Sequence, residues 1–281
     1  YRATDYYLMD GYNDSNCPDV TPERDGKRLI VQPNTFNMYC HREPRFYLTV
    51  VWNGQWFKWE NRNTNFLYGQ PDGGPTHDAP QNGYLNRSRV SLDYIPRDNN
   101  HPYRPAIIFR MAEAYLSYAE ALNESSERMS HKQEILDNLN KIRHRAGIAE
   151  YGTGTDENGF TRIKINFSDQ KEVRRLIHKE RRVEFVGEGV RYHDLRRWKT
   201  AHYGIGNLNE QGENPDWGVN GPDYGMNYYG TEYTDQGDNA FFKRTKYMDR
   251  VYPRKFYWYP IHQSEIDKDP TLVQGPFWLG E

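Results

Sequence analysis

Several signals that usually announce a function are missing from this 281-residue chain. No run of about 18 apolar residues occurs, so no segment has the length and apolarity of a membrane-spanning helix. The two cysteines, Cys17 and Cys40, allow one disulfide at most and are too few for a four-ligand zinc site. A net charge of −2 gives no electrostatic case for binding nucleic acid or an anionic membrane. No glycine cluster lies between a strand and a helix with the spacing of a phosphate loop. The nine histidines do not form an H-E-x-x-H pair, G-x-S-x-G is absent, and neither cysteine has the local context of a nucleophile. With no catalytic constellation in view, the chain reads as non-enzymatic.

Aliphatic residues are also scarce: hydrophobic residues make up 36% and the mean hydropathy is −1.04. Aromatics are not, at 15% with 23 Tyr and 7 Trp. Disordered chains are poor in aromatics, so the combination points to a folded, loop-rich protein whose surface uses amphipathic rings. Carbohydrate- and peptide-binding surfaces have this composition.

The densest information lies between Gln170 and Thr200. Val173, Leu176, Ile177, Val183 and Val186 recur at helical spacing, and Gly187 and Gly189 mark a joint before a second short helix ending near Trp198. Glu180, Glu184 and Glu188 sit four apart and project from roughly one face. Arg181, Arg182, Arg191, Arg196 and Arg197 are near enough in sequence to neutralise them, and Asp194 falls among these arginines. A general acid needs a raised pKa, whereas carboxylates among arginines have theirs lowered, which disfavours a catalytic pair. The pattern can be a solvated charge face; the interleaved Val, Phe and Trp favour a partly buried arginine–glutamate network that locks helices together.

Further helices are expected over Ile107–Glu124 and Ser130–Ala146. The first carries two apolar stripes, Met111–Tyr115–Tyr118–Leu122 and Ala112–Leu116–Ala119, with Glu113 and Glu120 read as arginine partners. The second places Ile135, Leu139 and Ile142 on one side, with Ser130 as its cap and Gly147 just past its end. Upstream, the alternating run Tyr47–Trp52 followed by Asn53-Gly54 predicts a hairpin returning through Gln55–Trp59. Trp52, Trp56 and Trp59 are the densest indole cluster. They read either as hairpin core or as a stacking platform, with Tyr68 and the polar Asn61 and Asn63 beside them as candidate ligand contacts. The stretches 69–105 and 203–249 are irregular, rich in Gly, Asn and Asp. Asp235, Asp238 and Asp249 have calcium-ligand chemistry, but the D-x-[DN]-x-[DN]-G pattern is absent, so no cofactor is expected.

Five blocks, in order, carry a family resemblance. Glu180-Arg181-Arg182-x-Glu184 with Glu188-Gly189-x-Arg191-x-x-Asp194-Leu195-x-Arg197-Trp198 resembles the signature of SusD/RagB proteins, the nutrient-binding outer-membrane lipoproteins of Bacteroidetes. Arg110-x-Ala112-Glu113-x-Tyr115-Leu116-x-Tyr118-Ala119-Glu120-Ala121 and Asn140-Lys141-Ile142-Arg143-x-Arg145-Ala146-Gly147 are similar to two further family blocks. Arg42-Glu43-Pro44-Arg45-Phe46 resembles a fourth, with Glu43 in place of Asp. The C-terminal run from Trp258 to Trp278 resembles the family's ending, departing at His262, Asp269 and Gly275.

The resemblance implies a mainly α fold with long irregular loops and a few short β-hairpins. It implies a loop- and hairpin-rich segment over 1–105, a helical core over 106–200 and a loop-rich segment over 201–281. No 34-residue repeat is visible, and Ala3–Gly11 resembles a mid-chain family segment. The chain is therefore expected to be a C-terminal half, with helical repeats and a lipid-anchored N-terminus preceding it. The implied role is capture of a glycan or peptide on the extracellular face of the outer membrane. The implied partner is a TonB-dependent SusC-like transporter. Readings from other classes are a carbohydrate-active hydrolase using Glu residues near the tryptophans and a helical scaffold that binds only protein.

Overall fold

The structure is a computed structural model, and it describes residues 12–13, 23–24, 27–28, 35–40, 42–57, 60, 62–88, 90, 98–99, 101–103, 106–204 and 218–279. Six α-helices are found among these residues: α1 (Pro44–Thr49), α2 (Met111–Glu124), α3 (Lys132–Arg145), α4 (Gln170–Glu184), α5 (Val190–Arg197) and α6 (Gln263–Lys268). The strands are short and form five separate two-stranded sheets. These pair β1 (Tyr12–Asn13) with β4 (Thr35–Phe36), β2 (Glu23–Arg24) with β3 (Lys27–Arg28), and β5 (Val50–Trp52) with β8 (Tyr84–Asn86). The other two pair β6 (Trp56–Phe57) with β7 (Arg62–Asn63), and β9 (Gly221–Gly225) with β10 (Thr245–Arg250). The architecture is mainly α with small sheets, as expected.

The chain divides into two compact units, one of Tyr1–Glu188 with Gly225–Thr245 and one of Gly189–Tyr224 with Lys246–Glu281. In the first unit α2 packs against both α3 and α4. The buried stripe of α2 is Ala112, Leu116 and Ala119, and the small alanines let the neighbouring helices approach closely. Ile135, Leu139 and Ile142 of α3 and Val173 and Ile177 of α4 complete this helical core. Burying each such aliphatic side chain contributes about 1.5–3 kcal/mol. Helix α4 begins at Asp169, whose carboxylate accepts from the backbone N–H of Lys171 and Glu172.

The same unit has a second core, aromatic rather than aliphatic. Phe36 stacks on Phe242 at 3.8 Å, and Phe46 stacks on Trp52 at 5.5 Å between centroids. Tyr39, Tyr47, Phe66 and Phe241 join this cluster. The Tyr47 hydroxyl donates to the Tyr39 carbonyl at 2.7 Å, so its buried polar atom is satisfied. Cys40 lies in this core and is disulfide-bonded, whereas Cys17 lies outside the described residues.

In the second unit Leu195, Ala201 and Tyr252 are buried together, with Trp198, Val219 and Tyr257 packed against them. Asp194 is buried and pairs with Arg197 at 2.9 Å.

Four local expectations are corrected. The run Tyr47–Trp52 is not one strand: Pro44 occupies the first turn of α1, the chain becomes extended only at Val50, and β5 pairs with β8. Asn53-Gly54 does turn the chain, but β6 pairs with β7, Trp56 opposite Asn63 and Phe57 opposite Arg62. Tertiary contacts override the local alternation here, because the Arg45 side chain is anchored by carboxylates and Asn53 Oδ1 accepts from the Phe66 N–H at 2.8 Å. Helix α2 starts at Met111, not Ile107. Arg110 holds an extended backbone while its guanidinium is tied to Glu184 and Glu188, leaving Ile108 97% exposed. The Met111 and Tyr118 stripe is likewise exposed. Finally, Ser130 does not cap α3; its hydroxyl donates to the Glu127 carbonyl, and His131 precedes the helix without a side-chain cap.

Candidate functional site

Two constellations are candidates for a site, and they differ in what they leave open. The first is the row of carboxylates on α4. Glu180 and Glu184 are buried, their side chains 4% and 2% exposed. Arg45 of α1 donates to Glu180 at 2.7 Å and to Glu184 at 2.9 Å, and Arg143 of α3 donates to Glu180 at 2.9 Å. Arg110 bridges Glu184 at 2.5 Å and Glu188 at 2.7 Å, and Arg145 also pairs with Glu184. Burial alone would push the Glu184 carboxyl up; the hydrogen bonds from Arg110 and Arg45 and the charges of Arg145 and Arg110 outweigh it and hold the group below its ordinary value. Such a group is ionised and fully hydrogen-bonded, which is the opposite of a general acid.

The arginine partners were not those nearest in sequence. Arg45, Arg110, Arg143 and Arg145 come from other elements, while Arg181 faces Glu120 at 3.9 Å and donates to Ser117. Arg197 pairs with Asp194, and the Arg196 guanidinium lies over the rings of Tyr192 and Tyr259. Glu120 thus has the arginine expected of it; Glu113 makes no such pair among the described residues. The joint after α4 holds positive φ at Gly187 and Gly189. A Cβ at Gly187 would lie 2.0 Å from Asn86 Nδ2, so the turn needs glycine there.

The second constellation is open. Tyr68, Tyr228 and Tyr229 form a triad of rings, Tyr68 to Tyr228 at 6.1 Å, Tyr68 to Tyr229 at 5.5 Å and Tyr228 to Tyr229 at 5.1 Å. Tyr229 is 70% exposed. The loops beneath are braced rather than loose. Tyr68 N–H donates to the Gly230 carbonyl at 2.8 Å, and Asn227 bridges its loop to the Asp238 and Ala240 carbonyls while accepting from Tyr229 N–H. Arg62 grips Asp72 with two bonds of 2.6 and 2.8 Å, and Asn65 N–H donates to the same carboxylate. A Cβ at Gly74 would come within 2.6 Å of the Tyr228 ring, so the loop approaches the triad as closely as glycine allows. Rings carried on braced loops leave less backbone entropy to lose on binding, which favours a stacking site.

Of the predicted contacts, Tyr68 belongs to this triad. Trp52 is corrected: it is 4% exposed in the aromatic core, against Phe46, Tyr39 and Tyr47, and offers no face to a ligand. Asn63 is exposed on β7, and Trp56 lies on the paired strand β6. Trp59 and Asn61 lie outside the described residues. Tyr228 and Tyr229 lie in the irregular stretch 203–249, where nothing local ties them to Tyr68, 160 positions earlier. Among the described residues no group of three or more His, Cys, Asp or Glu could hold a metal ion. Asp238 pairs with Lys243 at 2.8 Å and Asp249 with Lys246 at 2.5 Å.

A known family matches nearly the whole chain. The SusD family model aligns with residues 3–278. The chain belongs to the SusD family. Two curated members from Formosa agariphila are similar to it. SusD-like protein P25 is 32% identical over 109 residues, which is 39% of this chain and 18% of that protein. SusD-like protein P38 is 32% identical over 103 residues, 37% of this chain and 19% of that protein. The crystal structure of a SusD-like protein from Bacteroides fragilis superimposes with a TM-score of 0.58 at 26% identity, covering 92% of this chain and 45% of that one. This SusD-family chain therefore spans less than half the length of that solved relative, and its matched stretch under a fifth of the curated ones. Among the described residues no helix is long and apolar enough to cross a membrane.

Proposed function

We propose that this chain is part of a cell-surface nutrient-binding protein that captures a glycan or peptide and passes it to a TonB-dependent SusC-like transporter at the outer membrane. Membership of the SusD family supports the binding role. The observation that carries the reading is the triad of Tyr68, Tyr228 and Tyr229 on braced loops, with Tyr68 and Tyr228 half-buried and Tyr229 exposed. Capture at such a surface is by stacking on the rings and hydrogen bonds to the surrounding amides and phenols, with no covalent chemistry. Trp56, Trp59, Asn61 and Asn63 are proposed as further contacts beside Tyr68. Glu180 and Glu184 are each held by arginine, which argues against that buried pair as catalytic carboxylates.

Titration calorimetry against a panel of oligosaccharides and peptides tests the proposal. Tyr229→Ala, Trp56→Ala and Trp59→Ala should each weaken binding with the fold intact. Product chromatography after long incubation should find the glycans uncut. Binding unchanged in all three variants, or release of shortened glycans, would overturn the reading. Copurification of a large outer-membrane barrel with the chain tests the transporter step.

A further inference from the structure

Away from the tyrosine triad, the first unit contains a groove of about 850 Å³ between one face of α3 and the segment 150–167, with Tyr115 of α2 at its wall. The volume is within the range of about 300–1,000 Å³ usual for ligand sites. Lys132, Leu136, Asn140, Lys141 and His144 line it from α3, so it runs for about 18 Å along that helix. Its floor is fixed: Asn140 both donates to the Tyr151 carbonyl at 2.9 Å and accepts from the Tyr151 N–H at 2.8 Å. The Arg143 guanidinium lies 4.1 Å from the centre of the Tyr151 ring.

What distinguishes this groove is how its charges and rings are used. Glu150 is already neutralised by Arg162 at 2.8 Å, with His144 at 3.3 Å from its other oxygen. Lys132, Lys141 and Lys164 have no carboxylate in ion-pair contact among the described residues. Two of these ammoniums cover the groove's rings, Lys141 over Tyr115 at 4.5 Å and Lys132 over Phe167 at 5.2 Å. A neutral sugar stacking on those faces would have to displace the ammoniums, whereas an anionic ligand would meet them as donors lining the groove. The first turn of α3 starts at Lys132 with no side-chain cap, adding the positive end of the helix dipole. Two carboxylates remain, Asp137, bonded to the Gln133 amide at 2.7 Å, and Glu157. They repel a densely acidic peptide but accept hydrogen bonds from hydroxyls. A chain that carries both hydroxyls and spaced carboxylates satisfies this lining.

We propose that the groove between α3 and residues 150–167 is a second binding site, separate from the tyrosine triad, that holds an acidic polysaccharide of the polyuronate class through Lys132, Lys141 and Lys164. The probe is oligogalacturonate, with its fully methyl-esterified form as a neutral copy of the same backbone and polyglutamate as an acidic peptide. The full chain should bind oligogalacturonate at least about tenfold more tightly than the ester, with affinity falling as salt rises. The triple variant Lys132→Ala, Lys141→Ala, Lys164→Ala should lose that preference. Its lysines are exposed or face the groove, and an unchanged far-UV spectrum and melting temperature verify its fold. Tyr229→Ala should leave oligogalacturonate binding as it was. Equal affinity for acid and ester, retention of binding by the triple variant, loss of it in Tyr229→Ala, or polyglutamate binding as tightly would each overturn the proposal.

Discussion

One unit of this protein contains two interiors of opposite chemistry. Around Phe36, Phe46, Trp52 and Phe242 the chain is mostly loop and two-residue strand, and stacked rings hold it. Where α1, α3 and α4 meet, Arg45, Arg143, Glu180 and Glu184 are buried together. The two are joined through α1, which sends Phe46 and Tyr47 into the rings and Arg45 into the carboxylates. The difference teaches what each can do. Rings contribute by burying area and are tolerant of direction, so they can gather irregular loops. A buried ion pair adds little net stability, because desolvation offsets the attraction, but it is costly to break and demands one geometry. The ionic contact therefore acts as a clasp that sets register between elements, and the aromatic core supplies the driving force around it.

Breaking one partner at a time separates the two interiors. Glu184→Ala should cost about 3–5 kcal/mol in urea denaturation at neutral pH, since it removes a buried carboxylate shared by Arg45, Arg110 and Arg145. Trp52→Ala should cost a similar amount, about 3–5 kcal/mol, by leaving a cavity among Phe46, Tyr39 and Tyr47.

Acid then distinguishes them. The folded Glu184 carboxyl titrates below its ordinary value of 4.5. Its contribution is therefore present in full above that value and is lost as the pH falls through the lower, folded one. Urea midpoints taken from pH 7 to pH 3 should show the wild type and Glu184→Ala converging, while the Trp52→Ala difference persists. Parallel curves for all three would mean that the clasp is not ionic in its effect.

Asp169→Ala, which uncaps α4 without touching either interior, should cost about 1 kcal/mol. The smallest effect on stability belongs to Tyr229→Ala, within about 0.5 kcal/mol by thermal melting, because the ring is mostly in water. The same variant should weaken ligand binding by about 1 kcal/mol, read by calorimetry.

Periodicity, glycine and charge spacing were enough to reveal α4, its joint at Gly187 and Gly189, α5, and the presence of an arginine–glutamate network. These features are local, and each leaves its mark within four residues. Order and spacing of the motif blocks were enough for the family. The partners of Glu180 and Glu184 were not legible, because Arg45 lies 135 positions from Glu180 and no local pattern reports a contact at that range. The hairpin at Asn53-Gly54 failed for the same cause: β5 takes a partner from Tyr84–Asn86, and strand pairing follows packing more than turn residues. That Trp52 is core and that Tyr68 meets Tyr228 and Tyr229 were likewise settled in three dimensions. An aromatic residue has the same preference for a ring neighbour in a core as on a surface, and only the surrounding chain decides which it receives.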